Sequence, residues 1–284
     1  MMSRIWLSTL ALSVGVCTSA FADLSGTVTF DGVPPKPKAI NMNAVPDCAK
    51  QHNDPVYEEN WVVGANNEVK NCVIYVKDGA KLGGQAKTDP VILDQKGCIY
   101  SPHVVVAMVG QELKARNSDT FLHNVHGLAK DNQEFNFPQQ QQGQENKIDG
   151  TKAVETYMVK CDVHPWMKAW VVVLDHPFFA VTGDDGTFKI PGLKDGKYTL
   201  ICWHEPALVQ EKEVEVKNGS ATVDFKVAPR KKAAAADPVK EVKAVLAAVN
   251  APAASEECEF CAKDGASVVK ADAKGAQAQA AAAK

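Results

Sequence analysis

The sequence predicts an all-β protein built as two sandwiches, and three observations carry that expectation. Short apolar or alternating runs recur between residues 24 and 227, each bounded by Gly, Pro or Asn/Asp clusters, which is how strands and their turns read. No amphipathic helical period of useful length interrupts the first half of that stretch. In the second half, Asp185-Gly186, Asp195-Gly196 and Asn218-Gly219 fall where tight hairpin turns belong.

Size and charge bound the function. A chain of 284 residues that is 45% hydrophobic suits about two domains, each able to bury a core. A formal charge of −3 offers no basic field, so a nucleic-acid partner is not expected. Residues 1–22 read as a secretory signal peptide: a positive start at Arg4, an apolar run over residues 5–16, and Ala20-Phe21-Ala22 as a small-x-small cleavage signal. The expected product is periplasmic or secreted. Cys17 offers a lipidation alternative, but Val16 before it is bulkier than such a site takes. The apolar run is too short to cross a bilayer, and no later stretch approaches the ~20 apolar residues a spanning helix needs, so no integral membrane segment is expected.

Taken in order, residues 23–59 begin with an alternating strand that Gly32, Pro34 and Pro35 close, and residues 35–58 are irregular. Residues 60–175 form the first unit. Strands are expected over 69–77 and 91–93. Residues 104–109, held between Pro102 and Gly110, read as a strand buried on both faces. Residues 112–117 alternate, with Leu113 and Ala115 inward. From Asp131 the periodicity lapses through Pro138 and a glutamine run at 139–142, which reads as a loop. A strand resumes at 156–161 with Tyr157, Val159 and Cys161 on one face, and the apolar residues 170–174 close the unit.

Residues 176–228 form a second, smaller sandwich, in which 213–216 are expected to pair with 221–227 across Asn218-Gly219. Residues 229–284 are an Ala/Lys-rich tail, mostly disordered. One helix is expected there, capped by Asp237 and started by Pro238, with Val239, Val242, Leu246 and Val249 on one face. Cys258-Glu-Phe-Cys261 stands in low-complexity sequence, as a local disulfide or incidental thiols, or alternatively as an accessory metal or redox pair.

The chemistry concentrates in Tyr-Met-Val-Lys-Cys161-Asp-Val-His164-Pro-Trp-Met167. A thiolate, an imidazole and a thioether lie within seven residues of one loop. A second imidazole is offered upstream, by His123 or His126 in His-Asn-Val-His. Two His, one Cys and a weak axial Met suit copper in an electron-transfer site. Zinc is the rival, although a thioether is a poor zinc ligand. Residues three apart on a strand face opposite sides, so His123 and His126 cannot both reach one metal without a bulge.

These two segments resemble the small blue copper proteins, the cupredoxins, of the amicyanin and plastocyanin kind, over roughly residues 60–175. The resemblance implies a Greek-key β-sandwich and a mononuclear type 1 copper bound by His123, Cys161, His164 and Met167. It also implies that Asn124 ties the two ligand segments together. The protein would then be a one-electron carrier rather than an enzyme, with a redox partner such as a cytochrome or periplasmic dehydrogenase meeting an exposed edge of His164 beside Pro165 and Trp166. Two alternatives stay open: a copper-holding or trafficking protein, and a two-site copper oxidoreductase in which His126 joins His103 or His204. Otherwise His103, His176 and His204 read as structural. In the same frame the glutamine amides either connect strands or line the copper rim.

The second unit resembles the carboxypeptidase regulatory-like domain, a transthyretin-type sandwich, in its Gly-x-Phe at 186–188, Pro-Gly-Leu at 191–193 and Gly-x-Tyr at 196–198. Such domains open with a Gly-x-Val strand and Gly-x-Pro turn, as at 26–28 and 32–34, which would place the copper unit as an insertion within this one. Seven cysteines follow the leader, at 48, 72, 98, 161, 202, 258 and 261. Giving Cys161 to copper accounts for the odd number, and Cys48 with Cys98 is the expected disulfide.

Overall fold

The computed structural model describes residues 22–205 and 208–229, so the expected leader up to residue 21, the tail helix and the Cys258/Cys261 pair lie outside the described residues. The regular structure there is almost all strand: β1 (Ala22–Phe30), a one-turn helix α1 (Pro46–Ala49), β2 (Val73–Val76), β3 (Val91–Gln95), β4 (Tyr100–Ser101), β5 (Val104–Met108), β6 (Leu113–Asn117), β7 (His123–Gly127), β8 (Phe135–Gln139), β9 (Glu145–Ile148), β10 (Glu155–Lys160), β11 (Lys168–Leu174), β12 (Phe179–Val181), β13 (Thr187–Leu193), β14 (Gly196–His204), β15 (Leu208–Val216), β16 (Ser220–Thr222) and β17 (Phe225–Val227). Among the described residues no helix is long and apolar enough to cross a membrane.

Four sheets make two sandwiches. In the first, a sheet of order β5-β11-β10-β7-β8 faces one of order β4-β3-β6-β9. Alternation fills the space between them: Leu113 and Ala115 of β6, Tyr157 and Val159 of β10, and Val171 and Val173 of β11 all point into one core, while Lys114 and Arg116 turn to solvent. In the second, β13-β1-β16, with β17 beside β1, faces β12-β2-β14-β15 over a core containing Leu24, Val28, Ile74, Phe188, Leu200 and Phe225.

The apolar run at 170–174 is buried on both faces because β11 serves two cores. Val171 and Val173 face their own sandwich, while Val172 and Leu174 join Val104, Met108, Val73, Phe179 and Trp203 in a cluster that packs the two sandwiches together. The parallel partner β5 shows the same double burial.

Three expectations change. First, Val73–Val76, read as part of the first unit, pairs with β12 and β14 of the second sandwich. Its Val73 and Ile74 both need cover, and that sheet, lying between a core and the junction, provides it on both faces. Second, the stretch after Asp131 holds two strands, β8 and β9. Each is an edge strand with one face on the core, so half of its residues are polar and Pro138 is tolerated. Third, the hairpin expected across Asn218-Gly219 does not form. The turn itself is present, with Asn218 and Gly219 both at positive φ, but β15 pairs with β14 whereas β16 and β17 run parallel to β1. Crossing to the other sheet takes Phe225 and Val227 to full burial beside Leu24 and Val28.

Candidate metal centre

The ligand loop is the connection between β10 and β11. Their ladder runs to the pair Lys160 and Lys168, and residues 161–167 turn back over the end of the sandwich. Pro165 occupies the second position of a turn closed by the Met167 N–H on the His164 carbonyl at 2.9 Å, the position proline favours. A second bond, from the Cys161 N–H to the Met167 carbonyl at 3.1 Å, closes the loop at its base. Cys161, His164 and Met167 are all buried within this tight turn.

His123 opens β7, one strand over from β10. The turn before it is built by Asn117, whose side-chain oxygen accepts the Asp119 N–H at 2.9 Å and whose amide donates to the Phe121 carbonyl at 2.9 Å. On β7 burial alternates, so His123 is fully buried and His126 points away. The His126 ring is held between Asp162, 2.9 Å from Nδ1, and Glu134, 3.2 Å from Nε2.

The result is a convergence of donors. Nδ1 of His123 lies 3.1 Å from Nδ1 of His164, and the Cys161 sulfur lies 3.6 Å from the latter. One ligand atom from each of His123, Cys161 and His164 falls within 4.8 Å of the others. Nε2 of His123 meets the Asp119 carboxylate at 2.7 Å. That contact places the ring proton on Nε2 and leaves the Nδ1 lone pair facing the thiol and the second imidazole, the arrangement of a metal-ligating histidine backed by a carboxylate.

Electrostatics agree with the geometry. Burial pushes the Cys161 thiol up, but hydrogen bonds from His123, His164 and the backbone N–H groups of Asn124 and His164 outweigh it and bring the thiol down to about 6. Burial opposes charge on His123, yet Asp119 and Cys161 hold its pKa above the ordinary value. Asp119 is correspondingly lowered: burial works against its carboxylate, and the His123 ring with the backbone N–H groups of Cys98 and Gly97 works for it. A thiol poised to ionise beside two imidazoles is a fit site for a thiophilic cation.

The residues around the ligands explain how the loop is held. Asn124 bridges the two ligand segments, its side-chain oxygen accepting the Asp162 N–H at 3.1 Å. Gln139 lies opposite His123 across the β7–β8 pair and is fully buried. Its amide donates to the Ala115 and Gln144 carbonyls, each at 3.1 Å, and accepts from Gln95. The first of the glutamines thus acts as a buried brace beneath the centre and neither lines a rim nor sits in a loop.

Two features, a carboxylate and a disulfide, were not legible as parts of this centre. Asp119 had no motif to mark it, its only sequence signal being a carboxylate four residues before a histidine. The disulfide Cys48–Cys98 forms as expected, but its place was unforeseen: both sulfurs lie within 4.8 Å of a His164 ring nitrogen and of each other. The edge of His164, expected to be exposed, is only 3% accessible, because the disulfide, Trp166 and Phe121 pack around the ring. Trp166 is itself fixed by its indole N–H on the Cys98 carbonyl at 3.0 Å. Cysteine parity proves uninformative as well, since among the described residues Cys72 and Cys202 are free alongside Cys161.

No protein-family model matches the chain, and no curated protein matches it. Among solved structures, a Cu-containing nitrite reductase from Thermus scotoductus aligns at 23% identity and a TM-score of 0.29, over 34% of this chain and 26% of that one, so the chain spans about a quarter of the reductase. A purple cupredoxin from Nitrosopumilus maritimus aligns at 22% identity and a TM-score of 0.26, over 31% of this chain and 99% of that one. A mutant of amicyanin in its Cu(I) form aligns at 21% identity and a TM-score of 0.27, over 35% of this chain and 97% of that one.

Proposed function

We propose that the chain is an exported copper protein carrying one electron at a time through a single type 1 centre whose ligands are His123, Cys161, His164 and, as a weak axial group, Met167. The observation that supports this most is the meeting of two imidazole Nδ1 atoms and an acidified thiol in one buried pocket, with one imidazole's tautomer fixed by Asp119. Bound copper would supply reversible one-electron oxidation and reduction. The protein's part is to hold the donors still: the β10–β11 turn fixes Cys161 and His164, Asn117 and Asp119 fix His123, and Asn124 joins the two. A loop so braced changes its ligand set little between oxidation states, which keeps the cost of electron transfer low. The reading is of a carrier, periplasmic or secreted, that passes electrons to or from a redox protein such as a cytochrome or periplasmic dehydrogenase. Exposed Val163 and Pro165 of the ligand loop, with Leu122 just before His123, would form the contact.

A second reading, of a copper-holding or trafficking protein, is favoured by one observation: the burial of His164 beside two further sulfurs. The two-site alternative gains no comparable support. The three groups able to hold a metal among the described residues include none of His103, His126 and His204, the histidines that alternative calls on.

The deciding experiment loads the purified protein with Cu(II). The carrier reading expects one copper per chain, intense sulfur-to-copper visible absorption and reversible reduction without loss of metal. Cys161→Ser should fold and lose the colour; a variant that keeps it removes Cys161 from the centre, and a colourless wild type that prefers Zn(II) favours the zinc alternative.

A further inference from the structure

The disulfide and the metal centre share a side chain. Cys48 and Cys98, 50 residues apart in sequence, are bonded and fully buried. Their sulfurs and a His164 ring nitrogen lie within 4.8 Å of one another, and the Cys98 sulfur also lies within 4.8 Å of an Asp119 oxygen and a His123 ring nitrogen. Two sulfurs and an imidazole at that spacing are a soft donor set. While the sulfurs are bonded to each other the set is latent, because thiolates are the metal ligands. Once separated, they would suit a soft monovalent ion, Cu(I) above all.

The segment carrying Cys48 is the least regular part of the described chain. Residues 31–62 contain no strand, only α1 and an isolated bridge between Ala39 and Tyr57. The segment holds itself together through the Ile40 N–H on the Val56 carbonyl at 2.8 Å and the Glu58 N–H on the Lys38 carbonyl at 2.9 Å, and His52 reaches the Gly97 carbonyl at 2.7 Å. A segment attached by few backbone bonds opens locally at lower cost than the strands beneath it, which gives a reductant its access.

We propose that two-electron reduction of the Cys48–Cys98 bond creates a second metal site, formed by Cys48, Cys98 and His164, that takes Cu(I). The inference rests on the reading of His164 as a copper ligand only in one respect: the two sites share that imidazole. The reductant is a dithiol. One of its sulfurs attacks the disulfide, its second resolves the mixed disulfide, the dithiol leaves as a disulfide, and both protons end on Cys48 and Cys98. Binding of Cu(I) then displaces those protons. Copper held at the first centre would then have beside it a second donor set that shares His164, so the redox state of the disulfide would decide whether copper is kept for electron transfer or handed on.

The test uses the full-length chain with Cys161→Ser, which removes the first centre's thiolate, and with Cys258→Ser and Cys261→Ser, so that the tail contributes neither a reducible bond nor thiols. The protein is treated with dithiothreitol under native conditions, freed of reductant without oxygen, assayed for thiols and titrated with Cu(I) against a colorimetric Cu(I) chelator. Reduction should expose both further thiols and raise Cu(I) retention by an equivalent over the unreduced protein. Adding Cys48→Ser should abolish that increment while leaving whatever Cys72 and Cys202, buried in the other sandwich, hold. The inference is overturned if native reduction frees no thiols, if retention is the same before and after reduction, or if Cys48→Ser leaves the increment intact. The comparison of reduced with unreduced protein needs no second variant, so a Cys48→Ser chain that fails to fold does not remove the test. A colourless wild type whose reduced Cys161→Ser form still gains Cu(I) would sink the type 1 reading alone; a coloured wild type without the gain would sink this inference alone.

Discussion

Asp119 is the residue on which the centre's geometry depends most outside the ligands themselves. Its two oxygens take the Gly97 N–H at 2.7 Å, the Cys98 N–H at 2.9 Å and the His123 ring at 2.7 Å, so one carboxylate couples the disulfide turn to a proposed ligand. Asp119→Asn keeps the size but loses an acceptor, and should lower copper affinity by about 10–100-fold while leaving a coloured centre. His126→Ala, on the opposite face of β7, should leave both colour and affinity close to wild type. Competition with a chelator of known affinity measures the two side by side; equal affinities, or the larger loss in His126→Ala, would show that the strand register assigned to the histidines is wrong. The ligand loop was legible because three donor types in seven residues are rare by chance. The burial of His164 was not, because the groups around it come from residues 48, 98 and 121, which no local spacing connects.

Among the elements, β10 leads into the ligand loop and carries an unexpected anchor. Glu155, its first residue, is buried and accepts backbone N–H groups from Lys130, Asp131 and Asn132 at 2.6, 3.1 and 2.8 Å, together with the Asn132 side-chain amide at 3.0 Å. Asn132 in turn accepts the N–H groups of Lys152 and Ala153. One carboxylate thereby orders the irregular turn after β7 against the start of β10. Glu155→Ala leaves those donors unpaired and should destabilise the protein by about 2–4 kcal/mol in chemical denaturation, with the visible spectrum of the copper form unchanged. A loss below 1 kcal/mol would mean that water replaces the carboxylate without cost. A glutamate at a strand start ordinarily reads as a solvated residue, so this anchor leaves no trace in the pattern. The strands that pattern did reveal, β6, β10 and β11, have cleanly partitioned faces. It failed for β8 and β9, where an edge position excuses polar residues, and for the arm after Gly219, where a correct turn was followed by a change of sheet.

At the scale of the molecule, the junction between the sandwiches combines an apolar wall with one buried ionic group. Trp170 and Trp203 meet edge to face at 5.6 Å. Beside them Glu205, at the end of β14, binds His103 Nε2 at 2.9 Å and accepts the Trp170 indole N–H. Burial works against the Glu205 carboxylate, but His103, Lys168 and Trp170 together hold its pKa below the ordinary value. Its contribution to stability is therefore fully present above the ordinary carboxylate range and is lost as pH falls through the depressed folded value. Denaturation measured at neutral pH and near pH 4 should show wild type losing more stability than Glu205→Gln over that interval. An equal loss would place the acid-sensitive groups elsewhere. The two-sandwich class was legible from strand and turn rhythm, whereas the junction was not, since nothing in a double-faced apolar run says what will cover its second face.

The neighbouring positions of β2 and β12 carry a consequence for how the chain reaches its native state. Val73 stands opposite Val181 and Tyr75 opposite Phe179, yet β3 to β11 all intervene in sequence. Joining two strands across a gap on the order of 100 residues costs roughly 4 kcal/mol in loop-closure entropy if the intervening chain is random. If that chain has already folded, its two ends are delivered together and most of the cost disappears. The second sheet therefore inherits its closure from the first sandwich, and copper that steadies the ligand loop should also slow the unfolding of strands that hold no ligand at all.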